Sequence, residues 1–292
     1  MQTQDPRTLG EKPPFPPQQQ SFPGTEEPMS PQADHGEQSY QGSGKLKGMT
    51  ALVTGGDSGI GRAVVLAFAR EGADIVISYM PEEQEDAEAS AQNVRDAGRK
   101  VHLVPGDIRD ANQCQRLIDE AIQSLGRLDV LVNNAAFQES RESIAEVPYE
   151  EFERTYRTNI FAPFYLCKAA LPHMKPGSSI INVASIQAFD PSPELLAYAS
   201  TKSALVGFSK ALSKQVIKQG VRVNVVAPGP VWTPFIPAGV APEKVEKFGA
   251  NTLFERPAQP AELAPMFVWL ASAQASYMTG EVIGVTGGRT PF

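Results

Sequence analysis

The stretch Ala51-Leu52-Val53-Thr54-Gly55-Gly56-Asp57-Ser58-Gly59-Ile60-Gly61 decides the fold. Three apolar residues make a short strand, and four glycines within seven positions then make a tight turn. Glycine tolerates backbone angles that other residues avoid, and its missing side chain lets a ligand approach closely. Residues 63–71 read as a helix closed by Gly72. A glycine turn between a strand and a helix N-terminus is a phosphate site, because free N–H groups and the helix dipole both favour an anion there.

The same rhythm continues outward. Strands are expected at 74–79, 101–104, 129–133, 179–183, 221–226 and 282–285, and helices at 83–97, 111–125, 152–173, 197–219 and 260–270. The strands are Val/Ile/Leu-rich without alternation, as in a parallel sheet buried on both faces. Strand–helix–strand units of this kind wind right-handed into a doubly wound α/β fold of Rossmann type. The expectation is one dinucleotide-binding and catalytic domain over 45–292, with about seven parallel strands flanked by helices.

Residues 1–44 differ: eight Pro, eight Gln and five Gly, but one Leu and no Val or Ile. Such a segment buries too little apolar surface to offset its ordering entropy. It reads as a flexible, solvated tail, with an arm laid on a neighbouring subunit as the alternative; Phe15, Phe22 and Tyr40 are its candidate anchors. The run Pro13-Pro14-Phe15-Pro16-Pro17 favours polyproline II.

Bulk properties narrow the function. A net charge of -7 offers no electrostatic footprint for nucleic acid or anionic membranes. No run approaches the roughly 20 apolar residues of a membrane span. The N-terminus lacks a signal-peptide pattern, and Cys114 and Cys167 suit reduced thiols, so a cytoplasmic protein is expected. His35, His102 and His173 have no partners at metal-ligand spacing, so no metal is expected.

The chemistry lies further along. Tyr198 and Lys202 stand four apart on one helix face, and Ser185 follows a strand. A phenol titrates near pH ~10, and an adjacent ammonium favours its ionised form. That pairing makes a general acid or base for carbonyl–alcohol chemistry. Ligands in such sheets bind at the carboxyl ends of strands, where Ser185 sits. Asp107, in Gly106-Asp107-Ile108, is a candidate for adenine contact; its alternative is helix capping, which Asp110 could also supply.

Several motifs together resemble the short-chain dehydrogenase/reductase family over about residues 45–288. Thr54-Gly55 and Gly59-Ile60-Gly61 resemble its cofactor turn, and Asn133-Asn134-Ala135-Ala136 its Asn-Asn-Ala-Gly motif, departing at Ala136. Asn159, Ser185, Tyr198 and Lys202 match its catalytic set, and Pro228-Gly229-Pro230-Val231 with Thr233 its nicotinamide-contacting segment. The resemblance implies that Tyr198 moves a proton, Ser185 orients the substrate oxygen, Lys202 contacts the ribose and lowers the tyrosine's pKa, and Asn159 holds a relay water. It implies cofactor contacts from Gly55, Asp57, Ser58, Gly59, Ile60, Gly61, Tyr79, Asp107, Ile108, Asn134, Ala135, Ala136, Pro228, Gly229, Val231 and Thr233. The substrate residues would be Ser185, Gln187 and Tyr198, and similar proteins are usually homotetramers.

NAD is weakly favoured over NADP. The second strand ends Ser78-Tyr79-Met80 without an acid, but no base stands at 58 or 80, and Glu82, Glu83, Glu85 and Asp86 would repel a 2′-phosphate. Residues 232–254 read as a lid lined by Trp232, Phe235, Phe248 and Phe254. Gln187, Glu194 and Asn251 could bond hydroxyls, which suits a sugar or polyol. The turn and the Pro/Gln-rich start are similar to a branch with glucose/ribitol dehydrogenase-like and general-stress proteins. The expected function is NAD(P)-dependent redox of a secondary alcohol or ketone. The alternatives are a 3-oxoacyl-carrier-protein reductase and a non-catalytic nucleotide-binding stress protein.

Overall fold

The computed structural model describes residues 5–289. Strands β1 (Thr50–Thr54), β2 (Asp74–Tyr79), β3 (Val101–Pro105), β4 (Val130–Asn133), β5 (Ser179–Val183), β6 (Arg222–Pro228) and β7 (Val282–Val285) form one parallel sheet in the order β3-β2-β1-β4-β5-β6-β7. All residues of β1, β4, β5 and β6 are buried, which explains their largely apolar character; the polar Asn182, Arg222 and Asn224 are buried with hydrogen-bond partners. The edge strands β3 and β7 are only partly covered.

Helices cover both faces. On one, α1 (Gly59–Arg70) packs with α2 (Gln84–Asp96) and the C-terminal α9 (Pro260–Ala271) around Val53, Phe68, Ile77 and Phe267. On the other, α3 (Ala111–Leu125), α5 (Ala162–Ala170) and α6 (Leu196–Val216) enclose Leu52, Leu117, Leu131, Leu166 and Ile180. Strand order reverses between β1 and β4, which opens a crevice at their carboxyl ends.

Two helices depart from expectation. α1 begins at Gly59, so the turn's last glycines belong to its first turn. The long helix expected at 152–173 is α4 (Tyr149–Tyr156), a π-helical stretch at Arg157–Phe161, and α5. Pro163 has no N–H to return to the Asn159 carbonyl, so regular α pairing cannot persist there. Short helices α7 (Phe235–Gly239) and α8 (Pro242–Val245) follow β6.

The extension is not a solvated tail. Residues 5–44 lie against their own domain, with Phe15, Glu26, Met29 and His35 all buried. Phe15 stacks on Trp232 with ring centroids 4.1 Å apart, and the Trp232 indole donates to the Pro31 carbonyl at 2.8 Å. The Arg70 guanidinium donates to the carbonyls of Gly36, Glu37 and Tyr40, and the buried Glu71 carboxylate accepts from Ser43 N, Lys45 N and the Tyr40 hydroxyl. Composition misleads here because the anchors are single residues. The domain satisfies the arm's backbone groups, as a strand or helix would otherwise have to.

Candidate active site

A cavity of about 660 Å³ opens over the carboxyl ends of β1, β4, β5 and β6. Its lining includes Gly55, Asp57, Ser58, Gly59, Ile60, Tyr79, Asp107, Ile108, Asn134, Ala135, Ala136, Pro228, Gly229, Val231 and Thr233, together with Ser185, Gln187, Tyr198 and Lys202. Gly61 and Asn159 do not line it. A Cβ on Gly61 would stand 1.7 Å from the Gly55 carbonyl oxygen, so this glycine lets helix and turn close on each other.

The cradle is built from backbone. Gly55 and Gly59 have positive φ angles of 61° and 49°, and a Cβ on Gly59 would crowd Thr233 at 3.0 Å. Asn134 brackets the turn, its amide donating to the carbonyls of Thr54 and Gly55, both at 3.0 Å. The Thr54 hydroxyl accepts from Asn134 N and Ala135 N. These bonds tie the ends of β1 and β4, so the crevice is preformed.

The reacting end lies at β5 and α6. Tyr198 and Lys202 are buried one turn apart on α6. Lys202 Nζ donates to the Val183 carbonyl at 2.7 Å and sits 5.3 Å from the Tyr198 ring centroid. Burial pushes Lys202 down to about 7. Burial also pushes Tyr198 up to about 12, although a hydrogen bond with Ser185 acts the other way. In this arrangement burial outweighs what lowers the tyrosine. Both groups are desolvated, and the ammonium is aimed at a β5 carbonyl.

The Asn159 amide accepts from Phe137 N at 2.8 Å and donates to the Phe137 carbonyl at 2.9 Å and the Thr201 hydroxyl at 3.0 Å. Its side chain ties the β4 loop to α6, which carries Tyr198 and Lys202, and its amide oxygen keeps one lone pair for the relay water that the resemblance implied.

At the opposite end, Asp107 is bonded by Arg109 through its backbone N and its guanidinium, including Nε at 2.7 Å. Burial acts upward on this carboxyl, but the arginine bonds hold it below its usual range. The helix cap is Asp110, which accepts from Asn112 N at 2.9 Å, so Asp107 is free of that duty. Between the ends, Asp57 is 1% exposed and neither of its oxygens has a partner of hydrogen-bonding geometry. Burial, with Asp86 and Glu26 nearby, pushes its carboxyl up; Glu83 is pushed up by burial and by the charge of Asp57. Carboxylate oxygens left without partners in the interior are costly, which is why the carboxyl is pushed toward its protonated form.

The lid expected at 232–254 is only half right. Phe235 and Phe248 line the cavity, whereas Trp232 is fully buried beneath Phe15 and Phe254 lies outside the lining. The Gln187 amide is spent within its own loop, donating to the Ser192 hydroxyl and accepting from Ser192 N. The sequence missed Phe22, Pro23 and Gly24, which the extension places in the lining. It also missed Glu26, whose carboxylate accepts from Gly59 N at 2.7 Å and caps α1 from outside. Phe22 stood out only as an aromatic in a polar segment, and nothing marked Glu26.

Glycine cradle, strand-end loop, Ser185 and the Tyr198–Lys202 pair together define a nicotinamide-dinucleotide oxidoreductase of the doubly wound class. A family model described as "Enoyl-(Acyl carrier protein) reductase" matches residues 55–290. The chain is 49% identical to the "Uncharacterized oxidoreductase YghA" of Escherichia coli (strain K12) over 94% of either chain, and 45% identical to the "Glucose and ribitol dehydrogenase homolog" of rice, Oryza sativa subsp. japonica, over 94% of this chain and 97% of that one. A short-chain dehydrogenase from Burkholderia cenocepacia J2315, solved in complex with NADP, superposes with a TM-score of 0.79 at 27% identity, covering 84% of this chain and 99% of that one. The chain belongs to the short-chain dehydrogenase/reductase family and is an NAD(P)-dependent oxidoreductase. Among the described residues, no helix is long and apolar enough to cross a membrane.

Proposed function

We propose that the chain interconverts a carbonyl compound and its alcohol, with Tyr198 as the proton carrier; the observation behind this is that Ser185, Tyr198 and Lys202 meet the glycine cradle in one cavity. When bound, the dinucleotide supplies or accepts the hydride. Gly55, Ser58 and Ile60 would hold its pyrophosphate, the Gly59 N–H being given to Glu26, with Asp107 and Ile108 at its adenine end and Lys202, Thr233 and Val231 at its nicotinamide end. Ser185 orients the substrate oxygen, and the Tyr198 hydroxyl gives it a proton during reduction. In oxidation Tyr198 must accept a proton. Its high pKa leaves little phenolate at neutral pH, so alcohol oxidation should gain more from rising pH than carbonyl reduction does.

NAD is the preferred cofactor in this reading. The carboxyl groups of Asp57, buried behind the turn, and of Glu83, in the lining, oppose a 2′-phosphate. Arg62, the base after the turn, pairs with Glu37 of the extension at 3.4 Å and is absent from the lining. A sugar or polyol substrate keeps the support of the rice relative's name but loses Gln187, and Glu194 is paired with Lys244 at 3.2 Å. The carrier-protein reductase and the non-catalytic alternative gain no residue here. A cytoplasmic homotetramer is also proposed: Tyr149, Phe152, Phe161 and Phe164 expose aromatic surface along α4–α5, as a helix-paired interface would require. Light scattering at the monomer mass of 31.5 kDa would remove the tetramer. Phe292, which follows the last strand and is a candidate for packing across a subunit boundary in such an assembly, lies outside the described residues.

The deciding experiment is coenzyme titration by fluorescence, followed by turnover. Wild type should bind NADH more tightly than NADPH, and Asp57→Asn should narrow that difference. Lys202→Ala should weaken both, and Tyr198→Phe should bind coenzyme but not turn over. Failure to bind either coenzyme would end the dehydrogenase reading.

A further inference from the structure

We infer that residues 20–25 of the extension are a fixed wall of the substrate chamber, and that Phe22 there selects carbonyl compounds bearing an apolar or aromatic group. The inference rests on the carbonyl-redox reading above and names the substrate class of that same site.

The wall is held on all sides. Gln20 closes the segment into a clasp, its amide donating to the Thr25 carbonyl at 3.1 Å and accepting from Thr25 N at 2.8 Å. The clasp is fastened to α7 by Gln20 N, which donates to the Pro237 carbonyl at 2.9 Å. Gly24 lies flat on the same element: a Cβ there would stand 2.4 Å from the Pro234 carbonyl oxygen. On either side of the clasp, Phe15 and Pro31 are both anchored on Trp232. A segment tied at both ends and at its middle cannot fray as a free loop does.

This geometry aims Phe22 inward. Its ring meets Phe137 edge-on at 4.8 Å and Phe235 at 6.2 Å, and the Arg154 guanidinium covers it at 5.3 Å. Phe235 in turn is 6.1 Å from the Tyr198 ring, so the aromatic row leads from the extension to the proton carrier. Phe22, Phe235 and Ile186 line the cavity together. Two polar groups of the lining are engaged, Gln187 with Ser192 and Glu194 with Lys244, while Gln138, Arg154 and Asn251 line it elsewhere. A substrate reaching Tyr198 past this row gains apolar contact from Phe22, Phe235 and Ile186. Desolvating unpaired hydroxyls is costly, so a polyol is disfavoured and a hydrocarbon or aryl substituent is favoured.

The test uses full-length protein with NADH, comparing kcat/KM for benzaldehyde, hexanal and propanal in reduction, and for ribitol and glucose in oxidation with NAD. Wild type should favour benzaldehyde and hexanal over propanal, and act poorly on both polyhydroxy compounds. Phe22→Ala should cut the benzaldehyde-to-propanal ratio about tenfold, mainly through KM, as expected for loss of apolar pocket contact. Phe22→Leu should recover the hexanal preference more than the benzaldehyde one; it also serves if the alanine variant folds poorly. An unaltered ratio in both variants, or ribitol as the best wild-type substrate, would overturn the inference. If wild type binds NADH but reduces no carbonyl, the redox reading fails on its own. The wall is then decided by acrylamide quenching of bound NADH, which should rise in Phe22→Ala if Phe22 covers the chamber and stay equal if it does not.

Discussion

Val53 and Phe15 are both buried, but by different rules. Val53 sits in a five-residue strand with every neighbour buried, paired to β2 on one side and β4 on the other. Phe15 sits in a proline run without regular structure, and it is covered because Trp232 offers one flat face. The domain is held by periodic burial, in which many equivalent positions share the load. The extension is held by separate fastenings at Phe15, Gln20, Glu26, Asp34, Arg70 and Glu71, each using a different chemistry. A periodic pattern is visible in sequence, whereas a set of point anchors is visible only with its partners in place.

The contrast can be tested by asking which region carries which property. The largest effect should come from Tyr198→Phe: if chemistry belongs to the domain, kcat falls by about 10²- to 10⁴-fold while the melting temperature and coenzyme binding hold. Retained turnover would move the proton carrier elsewhere.

Next come paired truncations of comparable local cost, Leu52→Ala and Phe15→Ala, at about 3 kcal/mol each. The first should lower the main melting transition by about 6–12 °C. The second should leave that transition nearly in place and expose residues 5–44 to limited proteolysis. If Phe15→Ala lowers the main transition equally, the extension and the sheet form one cooperative unit and the contrast fails.

A pH effect follows at the middle of the extension. His35 is buried between Glu26 at 2.8 Å and Glu37 at 3.4 Å. Burial acts downward on its imidazole, but the bonds to Glu26 and Glu37 outweigh it and raise the pKa to about 9. Glu37 is pushed up by burial but held down to about 2 by His35. A raised histidine stabilises fully below its unfolded value of about 6.5 and loses that contribution as pH climbs through about 9; the depressed glutamate contributes above about 4.5 and loses it toward 2. Attachment of the extension should therefore be strongest between about pH 4.5 and 6.5 and weaken above 9, by on the order of 3 kcal/mol for the histidine. Hydrogen exchange over residues 26–40 reads this directly, and His35→Gln should flatten the alkaline side.

The smallest effect is a control. Arg7 and Asp5 form an exposed ion pair at 2.6 Å, of a kind that adds little to stability. Arg7→Ala should change neither protease sensitivity nor turnover; a clear change would mean that this pair supports the neighbouring attachments of Pro6 to Arg256 and Lys12 to Glu255.

What the sequence determined by itself was the sheet, its cradle and the residues gathered at its open end. Strand character, glycine spacing and helix closure are local, because a strand buried on both faces must be mostly apolar and a phosphate turn needs glycine at its tightest positions. Ser185, Tyr198 and Lys202 were legible because a strand end and an i, i+4 helix pair place side chains without further information. What only the tertiary structure decided depends on partners distant in the chain. Asn159 is tied to Phe137 and Thr201, contacts that its position in a helical stretch does not report. Tyr198 and Lys202 shifted apart because burial, which no spacing reports, dominates both. Residues 5–44 were fixed against the domain, with Phe22, Pro23 and Gly24 in the site, because Trp232, Gly59 and Glu71 met them with a flat ring, an N–H and a buried carboxylate.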